Sequence, residues 1–299
     1  MHPRTKLLIP LLLLCLLLCG CARTVPAAAA PPAEPQLLSL PQPGQKPPCE
    51  QVPVYIDGLL MDRACLKDGE LYLSPAAICT WLDISNSWQG DENAFSLTLQ
   101  GVEFSGDSSK EYLSGNGRYF YAPEGWFTAG GQLYLPCDLL CRFLCLDASL
   151  SEDGSRLDVS TLNARVIPGG EDYYDLNYPS EDLFWLTQII YAESWQQPLA
   201  GQIGVGNVVF NRVASEAYPD SVYDVIFDRE HSIQFEPVMN GTVYSEPDEQ
   251  SVIAAYLCFE GYNTVGNCMY FVNPRLADDS WFRSSLSFYA TIGDHDFYE

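Results

Sequence analysis

The sequence predicts an α+β chain: an α-rich C-terminal domain preceded by a small α/β module built from strand–helix–strand units. Two observations carry that prediction. Residues 52–160 repeat themselves at an offset of 62, and from Ser180 onward the apolar residues recur at helical spacing. Length and composition agree. The 299 residues leave room for two modest domains, and a hydrophobic content of 47% supplies a core for each.

The first twenty residues read as a targeting segment. His2, Arg4 and Lys6 form a short n-region, and Leu7 to Leu18 is an apolar run interrupted only by Pro10 and Cys15. Leu18-Cys19-Gly20-Cys21 resembles a bacterial lipobox, with Cys21 as the residue to be lipidated. The competing reading is an uncleaved anchor, but the run is shorter than the ~20 residues a spanning helix needs. Either reading places the rest of the chain outside the cytoplasm, and the lipoprotein reading puts it on the outer face of the cytoplasmic membrane. Residues 21–51 are rich in Pro and Ala, a composition that buries no core and forms an extended tether.

Within 52–160, Gly69-Glu70-Leu71-Tyr72-Leu73 aligns with Gly131-Gln132-Leu133-Tyr134-Leu135. At the same offset Cys79 falls on Cys141, Leu82 on Leu144, Asp91 on Asp153 and Leu97 on Val159. Each unit reads as a strand, a helix started at Pro75 or Pro136, and a second strand. The helices rest on spacing such as Leu140, Phe143 and Leu144, the strands on alternation such as Phe95, Leu97 and Leu99. Two such units resemble the module named after the N-terminus of copper amine oxidases, which implies a spacer or wall-binding role. No copper centre is expected, because no histidine lies between His2 and His231 to supply an imidazole ligand. Pro168-Gly169-Gly170 and the Asp/Tyr-rich stretch after it make 161–179 a linker.

Net charge is −24, and −26 for the part beyond residue 20. So acidic a surface repels nucleic acid and anionic headgroups and excludes both as partners. Of eleven cysteines, eight remain after Cys15, Cys19 and Cys21 are assigned to the export segment, and none forms a CxxC pair. Cys137, Cys141 and Cys145 recur every four residues and predict a buried stripe on one helix face rather than a metal site. Disulfides suit this compartment. Cys258 and Cys268 are the nearest candidate pair in the C-terminal domain, although sequence does not pair them.

In the C-terminal domain, 180–299, Ser180 suits an N-cap, and Glu181 and Asp182 suit the positive end of a helix dipole. Leu183, Leu186 and Ile190 share one face, with Tyr191 beside it and Glu193 one further step along the row. A carboxyl continuing an apolar face near a helix C-terminus is held protonated by desolvation and by the helix end. That is the state a general acid requires. The plainer reading, from periodicity alone, is a solvated acid at a helix end.

The neighbourhood tips the balance. Tyr191-Ala192-Glu193-Ser194 is followed by Gly201-Gln202-Ile203-Gly204-Val205-Gly206-Asn207-Val208-Val209-Phe210-Asn211-Arg212-Val213. Then come Gln234-Phe235-Glu236-Pro237-Val238, Tyr270-Phe271-Val272-Asn273-Pro274 and Thr291-Ile292-Gly293-Asp294-His295-Asp296-Phe297-Tyr298. These ordered blocks resemble the cell wall hydrolase family of spore-cortex-lytic enzymes (the SleB/CwlJ type). The resemblance implies a lysozyme-like, lytic-transglycosylase-like fold and a peptidoglycan substrate, cut between N-acetylmuramic acid and N-acetylglucosamine without a cofactor. It implies Glu193 as the catalytic acid, with Gln234, Phe235, Tyr270 and Asn273 lining or supporting the cleft and His295 in a structural role. One departure stands out: Gln196-Gln197 occupies the place where the family carries Gly-Glu, so a nearby second acid is missing. A lytic transglycosylase needs one acid, whereas a hydrolase of the usual kind needs a second carboxylate, for which Glu236, Glu230 and Asp228 are candidates. The alternatives to transglycosylation are thus a hydrolytic muramidase on the same fold and a non-catalytic wall-binding lipoprotein. Oligomeric state is not legible.

Other features are structural. Gly201, Gly204 and Gly206 follow no strand and do not form a dinucleotide fingerprint; they permit close helix packing. Ser245 to Asp248 caps a helix running to Gly261. His231 and His295 lie in no HExxH pattern, so a zinc peptidase is not expected and no metal site is assigned.

Overall fold

A computed structural model describes residues 49–170, 180–229, 235–277 and 279–299, all within one compact unit spanning 34–299. The export segment, Cys21, the tether up to residue 48 and residues 171–179 of the linker lie outside the described residues.

The N-terminal module opens with β1 (Glu50–Ile56), β2 (Leu59–Lys67) and β3 (Glu70–Leu73), followed by α1 (Pro75–Trp81). A Cys49–Cys65 disulfide, with Cα atoms 5.5 Å apart, ties the start of β1 to β2. Then come β4 (Asn86–Gly90), β5 (Ala94–Leu99), β6 (Val102–Asp107), β7 (Tyr112–Gly115) and β8 (Arg118–Tyr121). They form a five-stranded antiparallel meander in chain order. Finally β9 (Phe127–Ala129), β10 (Gln132–Pro136), α2 (Cys137–Phe143), β11 (Asp147–Leu150) and β12 (Leu157–Ser160) return to the first strands. The resulting seven-stranded sheet has the order β11-β12-β1-β2-β3-β10-β9.

The repeat survives in the strand–helix pairs. β3 leads into α1 and β10 into α2, and Leu73 pairs with Leu135 across the antiparallel β3–β10 contact. Beyond the helices each copy continues into an antiparallel strand pair, β4–β5 or β11–β12, as two strand–helix–strand units require, but the two pairs join different sheets. Leu97 sits in β5 of the meander, whereas Val159 sits in β12 beside β1. The alternation of Phe95, Leu97 and Leu99 continues into Phe104 on β6, Leu113 on β7 and Phe120 on β8, all buried. A run of that kind closes on itself as hairpins instead of crossing over. Its inner face packs on α2, where the Phe104 and Phe143 rings stack 4.2 Å apart.

Two expectations are corrected, and one candidate cysteine pair does not form. α2 ends at Phe143 and Cys145 adopts φ +48, so Cys145 leaves the helix and only Cys137 and Cys141 share its face. Residues 161–170 pack on the module rather than linking it. Arg165 N–H donates to Leu144 O and Ile167 N–H to Phe143 O, while Asn116 donates its side-chain amide to Ile167 O at 2.7 Å. Cys258 and Cys268 are free buried thiols. They belong to different apolar clusters, Cys258 beneath Ile190 and Ile203 and Cys268 beside Val208, Val265 and Phe297, so neither needs the other.

The C-terminal domain is helical around α3 (Ser180–Ser194), α4 (Leu199–Val213) and α7 (Glu249–Phe259), with short α5 (Val222–Phe227), α6 (Glu236–Asn240) and α8 (Ser280–Ser285). A small antiparallel sheet of β13 (Tyr270–Val272), β14 (Phe288–Ile292) and β15 (His295–Tyr298) has the order β13-β15-β14. Asp248 caps α7 by accepting from the Ser251 N–H at 2.8 Å. Leu186, Ile189, Ile190, Ile203, Val205, Val209, Ile253 and Leu257 fill the core between the three long helices. Gly206 lets them close: a Cβ there would stand 2.6 Å from Cys258 Sγ on α7 and 3.0 Å from Ile190 on α3.

The module and the domain meet through a buried ion pair. The Arg118 guanidinium on β8 donates to both carboxylate oxygens of Glu260, the C-cap of α7, at 2.8 and 2.7 Å. Arg142 of α2 donates to Glu260 O and lies over the Tyr262 ring at 4.5 Å.

Candidate active site

α3 runs through the domain core and delivers Glu193 at its last turn, one residue before it ends at Ser194. Ser194 Oγ donates back to Ile190 O at 2.6 Å, which seals that turn. Glu193 is half-buried and lines a cleft of about 880 Å³, within the range of small-ligand sites. Burial, the nearby Glu236 and the partly opposing Arg212 together push its carboxyl up to about 7. A larger cavity of about 1140 Å³ lies along α2 and β11 of the module and contains neither Glu193 nor Arg212.

Around Glu193 the cleft is walled by Tyr191 and Trp195, by Arg212 of α4, by Glu236 of α6, by Asn273 after β13 and by His295 of β15. Arg212 is buried and donates through Nε to Met269 O at 2.9 Å, while its Nη1 has no hydrogen-bond partner among the described residues. Its guanidinium lies over three rings, Phe235 at 5.2 Å, Tyr218 at 5.3 Å and Tyr270 at 5.7 Å. Beside it, Asn211 donates to Gly266 O and Cys268 O. The consecutive Asn211-Arg212 of the motif therefore holds the 266–269 loop by its carbonyls.

The expected site residues divide into liners and supports. Glu193 and Asn273 line the cleft. Asn273 Oδ1 accepts from the Arg275 N–H at 3.0 Å, which fixes the turn that follows it. Phe235 and Tyr270 do not line it. Phe235 is buried beneath Arg212, and Tyr270 shares a hydroxyl hydrogen bond with Tyr218 at 3.1 Å on that ring platform. Gln234 lies outside the described residues, as do Glu230 and His231.

Sequence reasoning misses Arg212 as a cleft residue, notes that the Trp195 ring could stack on a sugar without assigning it to the site, and gives His295 a structural role. The signal that marks Arg212 as unusual is that it is the one cation in the 15-residue α4, since a charge amid apolar helix neighbours calls for a purpose. His295 is buried, lines the cleft and leaves Nδ1 without a hydrogen-bond partner among the described residues. Burial lowers its basicity, so the neutral imidazole is favoured.

Gln197, one of the two residues at the expected departure from the family pattern, holds a loop in place. Its Oε1 accepts from the Asp294 N–H at 2.8 Å, and Asp294 in turn pairs with Arg275 at 2.7 Å. The loop between α3 and α4 is thereby fastened to the β14–β15 turn across one end of the cleft. The amide accepts from the Asp294 N–H and also donates to Asp294 Oδ2 at 3.5 Å, which an ionised carboxylate could not do, and it brings no like charge beside that acid.

Among the described residues no group of His, Cys, Asp and Glu has the arrangement of a metal site.

Comparison with known proteins bears on this region. Residues 196–298 match the family model described as Cell Wall Hydrolase. The spore cortex-lytic enzyme of Bacillus cereus is 33% identical over 104 residues, covering 35% of this chain and 39% of the relative. That of Bacillus subtilis is 30% identical over 118 residues, 40% of this chain and 35% of the relative. The chain thus spans about two fifths of the length of these curated relatives. Among solved structures, the catalytic domain of the germination-specific lytic transglycosylase SleB from Bacillus anthracis is 31% identical, with a TM-score of 0.38, covering 41% of this chain and 97% of that one. Residues 196–298 are thus similar to the cell wall hydrolase family.

Proposed function

We propose that the chain cleaves the glycan strand of peptidoglycan by a lytic-transglycosylase-like mechanism with Glu193 as its single catalytic acid. The observation that carries this reading is a half-buried Glu193 whose carboxyl is held protonated to about pH 7 inside a large cleft. Glu193 gives its proton to the glycosidic oxygen as the bond to C1 of the muramic sugar breaks, and the other fragment leaves as an alcohol. The resulting Glu193 carboxylate, beside the Arg212 cation, takes the proton of the sugar's own 6-hydroxyl. That oxygen closes on C1 and forms an anhydro ring, which returns Glu193 to its starting state. The exposed Trp195 ring, with Tyr191 6.2 Å away, offers apolar faces for sugar rings.

A second reading, the hydrolytic muramidase, draws on Glu236. It is exposed, lines the same cleft and acts electrostatically on Glu193, which makes it the second carboxylate that a hydrolytic mechanism would draw on. Mass spectrometry of the fragments released from purified peptidoglycan by the full chain separates the two. Anhydro-ended muropeptides are expected. Fragments with reducing ends only would favour the muramidase, and no release would leave the wall-binding lipoprotein.

The same reading takes the C-terminal domain as lysozyme-like and the N-terminal module as a spacer of the copper-amine-oxidase N-terminal type. Lipidation at Cys21 would hold both at the outer face of the cytoplasmic membrane. Globomycin-sensitive processing and labelling of Cys21 by a fatty-acid probe test that anchor; labelling that persists in Cys21→Ala would contradict it.

A further inference from the structure

A third cavity, of about 590 Å³, adjoins the catalytic cleft. One wall is the β6–β7 turn of the N-terminal module, with Ser109, Lys110, Glu111 and Tyr112; the other is formed by the start of α4 and by Glu249 and Gln250 of α7. Gln196 and Gln197 line both cavities, so the two spaces meet across this dipeptide. The Gln250 amide donates to Gln197 O at 3.2 Å and the Gln202 amide to the same oxygen at 3.3 Å, which fixes the shared ridge. The module's side of the cavity is held in register by the buried Arg118–Glu260 pair and by the Tyr119 ring against Tyr256 of α7, 5.5 Å apart. A spacer that only swings on a tether needs no such latch.

We propose that this junction is an extension of the substrate cleft, in which the N-terminal module binds a further length of the same glycan strand; the proposal rests on the glycan-cleaving reading. The lining chemistry selects the ligand. Gln196 and Gln250 offer neutral amides, Ser109 a hydroxyl and Tyr112 an aromatic ring, which match the hydroxyl and acetamido groups and the apolar faces of N-acetyl sugars. One cation, Lys110, faces two acids, Glu111 and Glu249, so the site is net acidic and disfavours the carboxylates of stem peptides. Because a glycan strand is a long polymer lying along the cleft, a site one step beyond Gln196-Gln197 adds affinity only for strands long enough to reach it. Joining two sites on one ligand raises affinity through effective concentration.

The test is a binding measurement on the full chain carrying Glu193→Gln, which leaves the polymer intact, with peptide-free glycan strands graded by length. Affinity is expected to rise steeply between short and long strands. Adding Ser109→Trp, an exposed position whose enlarged side chain fills the cavity, is expected to weaken long-strand binding about tenfold and to flatten the length dependence. Lys110→Ala with Gln250→Ala, both at exposed positions, is expected to act in the same direction with unchanged melting temperature. Length dependence that survives both sets of changes, or losses equal for short and long strands, would overturn the proposal. The outcome is independent of cleavage. If the unsubstituted chain releases no fragments while the length dependence still disappears, the catalytic reading fails and the extension stands. If it releases fragments while the length dependence persists, the reverse holds.

Discussion

Glu236 on α6 and Glu193 on α3 face one cleft, and the Glu236 carboxylate is, after burial, the strongest influence holding Glu193 protonated. Arg212, on the same cleft, acts in the opposite sense. The poise of the catalytic acid near neutral pH is therefore a balance between a like charge on a short, exposed helix and an opposite charge sunk among aromatic rings.

Cleavage should decline as pH rises through about 7, because the general acid must be protonated before the glycosidic bond breaks. Glu236→Gln removes the like charge and is expected to move this alkaline limb to lower pH. Arg212→Gln removes the opposing charge and is expected to move it to higher pH while lowering the rate. Rate profiles between pH 5 and 9 on purified peptidoglycan read both shifts. Shifts in the same direction would contradict the electrostatic account. Loss of all activity in Glu236→Gln, with the fold intact, would favour the muramidase reading.

The same raised carboxyl has a cost in stability. Its folded pKa, about 7, lies above the unfolded value of about 4.3, so between those pH values the folded state holds a proton the unfolded state has released. Stability contributed by this group therefore falls as pH rises from about 4.5 to 7 and stays low above. Glu193→Gln, which stays neutral, is expected to be more stable than the parent at pH 8 by about 1–3 kcal/mol and equal to it near pH 4. Chemical denaturation at the two pH values checks this. A variant equally stable at both would mean that Glu193 is solvated and ordinary.

The latch between module and domain makes a third prediction. Arg118→Ala leaves the Glu260 carboxylate buried, with its side chain only 3% exposed, and without its bidentate partner. A loss of about 3–5 kcal/mol is expected. Arg118→Met with Glu260→Leu is expected to recover most of it, because removing both charges removes the burial penalty as well. Thermal melting of the three chains decides it, and a single variant as stable as the parent would contradict it.

Gln197 makes a fourth. Replacing it with Ala removes the acceptor for the Asp294 N–H and frees the β14–β15 turn at one end of the cleft. An increase in KM of several-fold with a smaller change in kcat is expected, since Gln197 positions a wall and touches no reacting atom. A fall in kcat with KM unchanged would instead place Gln197 in the chemistry.

The helical stretch around Glu193 is legible in the sequence because apolar spacing and motif agree there, and a helix that ends one residue after its acid leaves few other placements. Asp248 as a cap and Gly206 as a packing contact are legible for similar local reasons. The module is less so. Its helices are visible at Pro75 and Pro136, but the alternating run from Phe95 to Phe120 holds several strands, and periodicity does not say which sheet a strand joins. Asp57-Gly58 and Asn116-Gly117, both residues of each pair at positive φ, are the hairpin signals that mark two of the module's chain reversals. Arg212 stands inside a motif, yet its place on the cleft is not legible, because only the fold brings α4 alongside the end of α3. Phe235 and Tyr270 fall in the expected neighbourhood with a different contact. They carry Arg212, not the substrate cleft, a distinction between neighbouring layers that no spacing encodes.

The central claim, that Glu193 is the acid that breaks the strand, is tested most directly by comparing soluble fragment release from purified peptidoglycan by the full chain and by its Glu193→Gln variant at pH 6. The account predicts that the parent releases fragments and that the variant, equally well folded, releases them about 10²–10⁴-fold more slowly. Equal release by the two chains would contradict it.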